Sequence, residues 1–226
     1  MKIIVKAILE KINFLQLLLI SKNISLIGNK FFKTSVTIAN KNKVVFNQSK
    51  IENTKIFIDG ENNEFYSTSA LISRCIINIS GQNNRIFLEK EVKLRGADIN
   101  IRGNNCTLNI GKGSSFGGIR IINVGENNAI NIGKNCLFAD KIELWASDTH
   151  CILNEKNEVL NKEKPIFIGD RVWVGSCSII LKGVTINDDS IIGMGTIVTK
   201  DVPKKTISVG SPNRIIKENV TWKLDY

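Results

Sequence analysis

The stretch IGDRVWVGSCSIILKGVTINDDSIIGMGTIVTKDVP, residues 168–203, repeats every six residues. One place in each hexad is aliphatic: Ile168, Val174, Ile180, Ile186, Ile192 and Val198. Four places further on stands a small or branched residue: Val172, Ser178, Val184, Ser190, Thr196 and Val202. This period fits neither a 3.6-residue helix nor a two-residue strand alternation. It predicts a coil of triangular cross-section, with one short strand and one corner per hexad and the aliphatic side chains pointing inward.

The frame extends back to Ile132, Phe138 and Leu144, and a longer repeat precedes it. Four glycines, each at the head of an Asn-rich segment, are spaced 21, 22 and 22 residues apart: Gly60, Gly81, Gly103 and Gly125. Alternating apolar residues flank each of these segments, as expected for strand–turn–strand sequence. We therefore predict one all-β solenoid over 35–210, irregular at first and regular later, with end caps at 1–34 and 211–226.

The composition and charge of the chain indicate which kinds of binding partner to expect. The 226 residues are 23% charged and 42% hydrophobic, which is typical of a globular chain. The net charge is +10, but Lys and Arg are scattered and aromatic residues make up only 7%, so we expect no nucleic-acid partner. Diffuse positive charge suits a phosphate-rich cosubstrate or an acidic glycan better.

The apolar segment 3–20 is interrupted by Lys6, Glu10 and Lys11, which leaves too short a run to span a bilayer. It predicts a short amphipathic helix that packs under the solenoid or touches a membrane surface. The five cysteines form no CxxC pair and are odd in number, so neither a disulfide framework nor a metal site is expected. We expect a cytoplasmic protein, with membrane association left open.

Residues 168–216 closely resemble the hexapeptide-repeat acyltransferases, in particular the maltose, galactoside and capsular-polysaccharide O-acetyltransferase branch. The motifs that carry the resemblance are VWVG, ILKGV, GMGTIVTKDVP and GSPNR. The resemblance implies a left-handed parallel β-helix and a homotrimer, with acetyl-coenzyme A bound between subunits. It also implies acetyl transfer to a hydroxyl of a sugar or surface-polysaccharide precursor, with a histidine as general base.

His150 is the only histidine in the chain, so it becomes the predicted base. It directly precedes a polar segment, 151–164, which interrupts the hexads and is the predicted active-site loop. Asp148 would share its face on an extended segment and could orient the imidazole, although a turn-forming role or a backbone carbonyl is equally open. By resemblance, the main-chain N–H of Ser176 would stabilise the oxyanion.

The resemblance further places coenzyme A beside Trp173, Met194, Thr199, Lys200 and Arg214. Lys200 and Arg214 suit its phosphates, because both carry a fixed positive charge. Met194 departs from the usual alanine of the motif, and Asn213 stands where alanine or cysteine is commoner. Surface roles for these side chains stay open.

Two alternatives remain open at this level, and two others do not fit the sequence. The acceptor could be another small molecule, such as an antibiotic or an amino sugar, or the chain could be a non-catalytic structural β-helix. Serine O-acetyltransferases carry a large helical N-terminal domain that residues 1–35 cannot supply. The γ-type carbonic anhydrases need three histidines around a metal, and this chain has one.

Overall fold

The computed structural model describes residues 24–39 and 41–224 and consists of three parallel sheets that wrap around one core. The predicted N-terminal helix over 3–20 lies outside these residues. Sheet A contains β1 (Ile24–Ile27), β4 (Lys43–Asn47), β7 (Glu64–Thr68), β10 (Arg85–Leu88), β13 (Thr107–Ile110), β16 (Ala129–Ile132), β19 (Ile166–Ile168) and β22 (Thr185–Ile186).

Sheet B contains β2 (Lys30–Phe32), β5 (Lys50–Glu52), β8 (Leu71–Ser73), β11 (Lys93–Arg95), β14 (Ser115–Phe116), β17 (Leu137–Phe138), β20 (Trp173–Val174), β23 (Ile191–Ile192), β25 (Thr206–Val209) and β26 (Arg214–Glu218). Sheet C contains β3 (Ser35–Ile38), β6 (Lys55–Ile58), β9 (Ile76–Gln82), β12 (Ala97–Asn104), β15 (Ile119–Glu126), β18 (Ile142–Trp145), β21 (Ile179–Leu181) and β24 (Ile197–Val198). From β1 to β24 the chain passes from A to B to C in each coil, which confirms the predicted parallel β-helix.

The three corners of each coil stack into three long edges, called here the A–B, B–C and C–A edges after the sheets they join. Inward side chains repeat with the coil, so that Ile77 pairs with Ile99, Ile99 with Ile121 and Ile121 with Leu144 in sheet C. All six aliphatic residues predicted to point inward are buried, the most exposed being Ile168 at 4%. The hexad interpretation is therefore confirmed residue by residue.

The boundaries differ from the predicted ones at both ends. The stacked strands begin at Ile24 rather than at 35, because β1 pairs in register with β4 and β2 with β5. The predicted tail over 211–226 contains a strand, β26, which pairs antiparallel with β25. Beyond it, Trp222 is 8% exposed and its indole donates a hydrogen bond of 2.7 Å to the Arg171 carbonyl oxygen. The residues that the structure describes contain no helix able to cross a membrane.

The C–A edge explains the long repeat of the first half. Gly60, Gly81 and Gly103 have positive φ angles, and a Cβ atom on any of them would lie 1.9 Å from the carbonyl oxygen of the next glycine in the column. Asparagines stack beside them: the Asn63 main-chain N–H donates to the Asn42 side-chain oxygen, and that of Asn84 to Asn63. Glycine is needed here because consecutive coils touch through their backbones.

This contact predicts an unusually costly substitution at Gly81. Gly81→Ala should lower the free energy of unfolding by about 2 kcal/mol or more beyond Gly195→Ala, because overpacking adds to the ordinary cost of a positive φ. Gly195 is the matched control, since it also has a positive φ but a Cβ there would meet nothing within 4 Å. Chemical denaturation of both variants measures the difference, and equal losses would contradict the backbone contact.

Candidate active site

The loop that follows His150 is an ordered arm, residues 151–164, on the C–A edge. Leu153 and Val159 form an antiparallel bridge, and the Leu160 main-chain N–H donates a hydrogen bond of 2.8 Å to the Ile152 carbonyl oxygen. Four apolar side chains of the arm are exposed: Ile152, Leu153, Val159 and Leu160. The polar segment predicted to interrupt the hexads is thus a small hairpin that projects from the solenoid.

His150 is exposed at the base of this arm. Its carbonyl oxygen accepts a hydrogen bond of 2.8 Å from the Asn161 amide. No side chain among the described residues hydrogen-bonds the imidazole ring. The ring is therefore free to meet a ligand or another subunit.

The Asp148 carboxylate contacts Lys182 and Asn161 rather than the His150 imidazole, which it was predicted to orient. Its carboxylate accepts hydrogen bonds from the Lys182 ammonium at 2.5 Å and from the Asn161 amide at 2.7 Å. The Lys182 hydrogen bond, more than that of Asn161, holds the pKa of Asp148 below its usual range. Lys182 also donates to the Asn161 carbonyl oxygen at 2.7 Å, so this pair anchors the arm to the next coil. In the chain as described, Asp148 positions the arm.

Ser176 lies on a different edge, B–C, directly after β20. Its hydroxyl donates a 2.5 Å hydrogen bond to Asp140, and this contact is the main reason that the pKa of Asp140 is lowered. No described residue accepts a hydrogen bond from its main-chain N–H. Met194 stands one coil further along the same edge, where the Gly195 N–H donates to the Ser176 carbonyl oxygen, and its side chain is 78% exposed. Ser176 thus presents a free main-chain donor beside the exposed Met194 side chain.

Trp173 projects from the outer face of sheet B and is 37% exposed. Its ring centroid lies 6.2 Å from that of Trp222, at a tilt of 49°. The C-terminal tail therefore covers part of this tryptophan.

Thr199 and Lys200 lie on the C–A edge and are joined to the last strand by Asn213. The Asn213 side-chain oxygen accepts hydrogen bonds from both main-chain N–H groups, at 2.9 and 3.1 Å. Arg214 follows immediately as the first residue of β26. Lys200 and Arg214 are both exposed, and neither forms an ion pair within the described residues. Asn213, a departure from the expected motif, holds these two cationic positions together.

Within one chain, the predicted residues form two groups separated by sheet C. His150, Thr199 and Lys200 occupy the C–A edge, whereas Ser176 and Met194 occupy the B–C edge. One subunit alone does not bring the predicted base next to the predicted oxyanion donor.

Comparison with known proteins agrees with this arrangement of coils. A family model described as the hexapeptide repeat of succinyl-transferase matches residues 165–200. The solved structure of the polysialic acid O-acetyltransferase OatWY superposes with a TM-score of 0.69 and 27% identity, over 90% of this chain and 91% of that one. The polySia-specific acetyltransferase NeuO gives a TM-score of 0.66 and 26% identity, over 91% and 84%. The chain is similar to the hexapeptide-repeat acyltransferases, in sequence over 165–200 and in fold over most of its length.

Curated relatives match a shorter stretch of the chain. Galactoside O-acetyltransferase of Escherichia coli (strain K12) is 54% identical over 54 residues, which is 24% of this chain and 27% of that protein. A Schizosaccharomyces pombe protein named as an acetyltransferase is 38% identical over 84 residues, 37% of this chain and 41% of that protein. The chain therefore spans less than half the length of these curated relatives.

Four residues of this hexapeptide-repeat site were not singled out from the sequence: Asp140, Asn161, Lys182 and Trp222. Lys182 belongs to the ILKGV motif, so its presence in a family motif was an available signal. Asn161 and Asp140 are 13 and 36 residues from the side chains they hold, and no local pattern marks them. Trp222 lies beyond the repeat, where periodicity gives no information.

Proposed function

We propose that this protein transfers an acetyl group from acetyl-coenzyme A to a hydroxyl of a sugar or glycan. The observation that carries the proposal is the sole histidine, exposed with its ring unengaged at the base of an ordered arm. Two relatives of similar fold over most of their length are named as polysialic acid acetyltransferases, and a relative of the repeat segment as a galactoside O-acetyltransferase.

The chemistry needs a base and a donor for the oxyanion. The imidazole of His150 would accept the proton of the acceptor hydroxyl while the oxygen forms a bond to the acetyl carbonyl carbon. The main-chain N–H of Ser176 would donate to the oxyanion that develops there. As the carbon–sulfur bond breaks, the imidazolium would return its proton to the departing thiolate. One acetyl group moves and no net proton is gained or lost.

The position of these groups supports assembly as a homotrimer. Because His150 and Ser176 flank sheet C on opposite edges, packing sheet C around a threefold axis would place the arm of one subunit beside the B–C edge of the next. Sheet C has apolar side chains on its outer face that such packing would cover: Phe57, Ile76, Trp145, Leu181 and Ile197. Cyclic symmetry repeats this junction three times and closes the assembly.

Lys200 and Arg214 are the proposed phosphate contacts for coenzyme A. Both are exposed and unpaired within the described residues, and Asn213 fixes the two segments that carry them. Fixed cations are suited to phosphate groups because charge-assisted hydrogen bonds are stronger than neutral ones. Thr199 and Met194 would border the same cosubstrate on the edges that face each other across the junction.

Replacing His150 tests the base directly. His150→Ala should lower turnover by roughly 10²–10⁴-fold, the usual contribution of general base catalysis, while the fold and acetyl-coenzyme A affinity stay unchanged. Thiol release measures turnover, and circular dichroism and calorimetry measure the other two. Cys151→Ala, at the next exposed residue of the arm, is the matched control and should keep full activity. Turnover within a few-fold of wild type in folded His150→Ala would rule out this mechanism.

Removing the two cations tests the cosubstrate site. In Lys200→Ala/Arg214→Ala, the KM for acetyl-coenzyme A should rise about tenfold or more and depend less on salt, with kcat preserved. The control is Lys204→Ala/Lys217→Ala, which removes the same charge from exposed positions in the same part of the chain. An equal rise in both double variants would point to net charge rather than to a site.

Light scattering tests the assembly. We expect a mass about three times that of the 25.2 kDa chain. A charge on the proposed interface, Ile76→Asp, should shift the mass towards the monomer and reduce turnover, because a carboxylate would be buried there. Phe167→Asp, on sheet A at similar exposure (45% against 47%), should stay trimeric. An active monomer of the wild type would contradict the proposal.

A further inference from the structure

A groove of about 590 Å³ runs along the B–C edge on the N-terminal side of Ser176. Arg74, Gly96, Gly118 and Lys141 line it at equivalent corner positions of four consecutive coils, since the residues after them pair in register in sheet C. Successive coils are about 4.8 Å apart, so Arg74 and Lys141 stand roughly 14 Å from each other along the edge. The groove lies between these two cations, where the corner residues Gly96 and Gly118 have no side chains.

The fold does not demand glycine at the two central corners. Gly96 has a φ of 60°, but Arg74 and Lys141 adopt 57° and 54° at the equivalent corners and carry long side chains. A Cβ atom on Gly96 or on Gly118 would meet its nearest neighbour at 3.6 Å, an ordinary contact. This contrasts with the 1.9 Å overlap at Gly103 on the C–A edge. Because Gly96 and Gly118 have no side chains, the groove on the B–C edge stays open.

The groove is lined by three cations, Arg74, Arg120 and Lys141, and by three carboxylates, Asp98, Asp140 and Glu143. Its three carboxylates already accept hydrogen bonds: Asp98 from Asn100, Asp140 from Ser176 and Glu143 from Trp145. The Arg120 guanidinium lies 3.9 Å from Asp98 and over the Trp145 ring. Arg74 and Lys141 form no salt bridge with any residue that the structure describes, and Lys141 is only a minor cause of the lowered pKa of Asp140. Their donors are therefore free for an anionic ligand.

The groove leads to the proposed acetyl-transfer point. Asp140, which lines it beside Lys141, accepts the Ser176 hydroxyl hydrogen bond, and its carbonyl oxygen accepts the Cys177 main-chain N–H at 3.0 Å. A chain of sugar units lying along the edge would thus pass from Arg74 to Lys141 and present a hydroxyl next to Ser176.

We propose that this groove binds an acidic glycan, with anionic groups on Arg74 and Lys141 and a sugar ring over Gly96 and Gly118. The proposal rests on the proposed acetyl transfer for its reaction, but binding can be tested without it. Carboxylates and phosphodiesters offer the same anionic chemistry, so both are included as probes.

The test measures affinity calorimetrically, without acetyl-coenzyme A, for four probes. They are oligosialic acid, the same oligomer with its carboxyl groups reduced, maltohexaose, and a glycerol-phosphate-linked oligosaccharide. At least one acidic probe should bind about tenfold or more tightly than the two neutral ones, and the stronger of the two acidic probes identifies the anionic group. Equal binding of acidic and neutral probes, or binding of none, would overturn the groove assignment.

Two pairs of variants locate the binding. Gly118→Gln should remove most of the affinity by filling the groove, whereas Gly118→Ala should stay within about twofold of wild type. Arg74→Gln/Lys141→Gln should weaken acidic probes roughly 10- to 100-fold, whereas Lys90→Gln/Lys134→Gln, exposed on the A–B edge, should not. Unchanged affinity in Gly118→Gln or in Arg74→Gln/Lys141→Gln would place the glycan elsewhere.

Activity separates this inference from the function it rests on. If acidic glycan binds as expected but the wild type transfers no acetyl group to it, the groove stands and the proposed function fails. If the wild type acetylates a glycan and the groove variants do so equally well, the function stands and the groove assignment fails.

Discussion

The in-register stacking of consecutive coils is the constraint on which the rest of this structure depends. Parallel strands about 4.8 Å apart force every corner residue to lie directly over its counterpart in the coil below. The consequence is most severe on the C–A edge, where Gly81 has room for no side chain because the Gly103 carbonyl oxygen would overlap a Cβ atom. On the inside, the same constraint stacks aliphatic side chains into one continuous core.

The arm, residues 151–164, lies between the longer repeat of the first half and the six-residue repeat of 168–203. Below it, coils contain 20 to 23 residues, as between Ile24 and Val44 or between Ile119 and Ile142, and the glycine column runs along them. Above it, coils contain the 18 residues of three hexads, as between Ile180 and Val198. Glu163 ends the column, since its carboxylate accepts a hydrogen bond of 2.7 Å from the Glu126 main-chain N–H. That bond is the main reason that the pKa of Glu163 lies below its usual range. The arm therefore caps one repeat and carries His150 at its base.

The three edges of the solenoid carry different functional groups. The C–A edge has the glycine column, the arm and the cations of the last coils; the B–C edge has the open groove and Ser176; the A–B edge has Arg171, paired with Asp189 and covered by Trp222. Only the C–A and B–C edges border sheet C. The proposed reaction, which uses groups from both of these edges, would therefore need more than one copy of the chain, whereas the A–B edge holds the C-terminal tail.

The sequence by itself determined the coil and its inward residues, and it supplied His150 as the predicted base. Periodicity was sufficient for Ile168 through Val198 because each hexad is a local pattern that fixes which side faces the core. The prediction of His150 as the base needed no tertiary structure, since the chain has no other histidine. The start of the coils was harder to predict from the sequence. Ile24, Leu26 and Phe31 are only partly buried, so the apolar pattern in this segment is weak. Only the tertiary structure decided that Lys182 and Asn161 hold Asp148, and that Arg74 and Lys141 face one glycine-lined groove. Those residues are many positions apart along the chain and become neighbours because coils stack, a contact that no local spacing encodes.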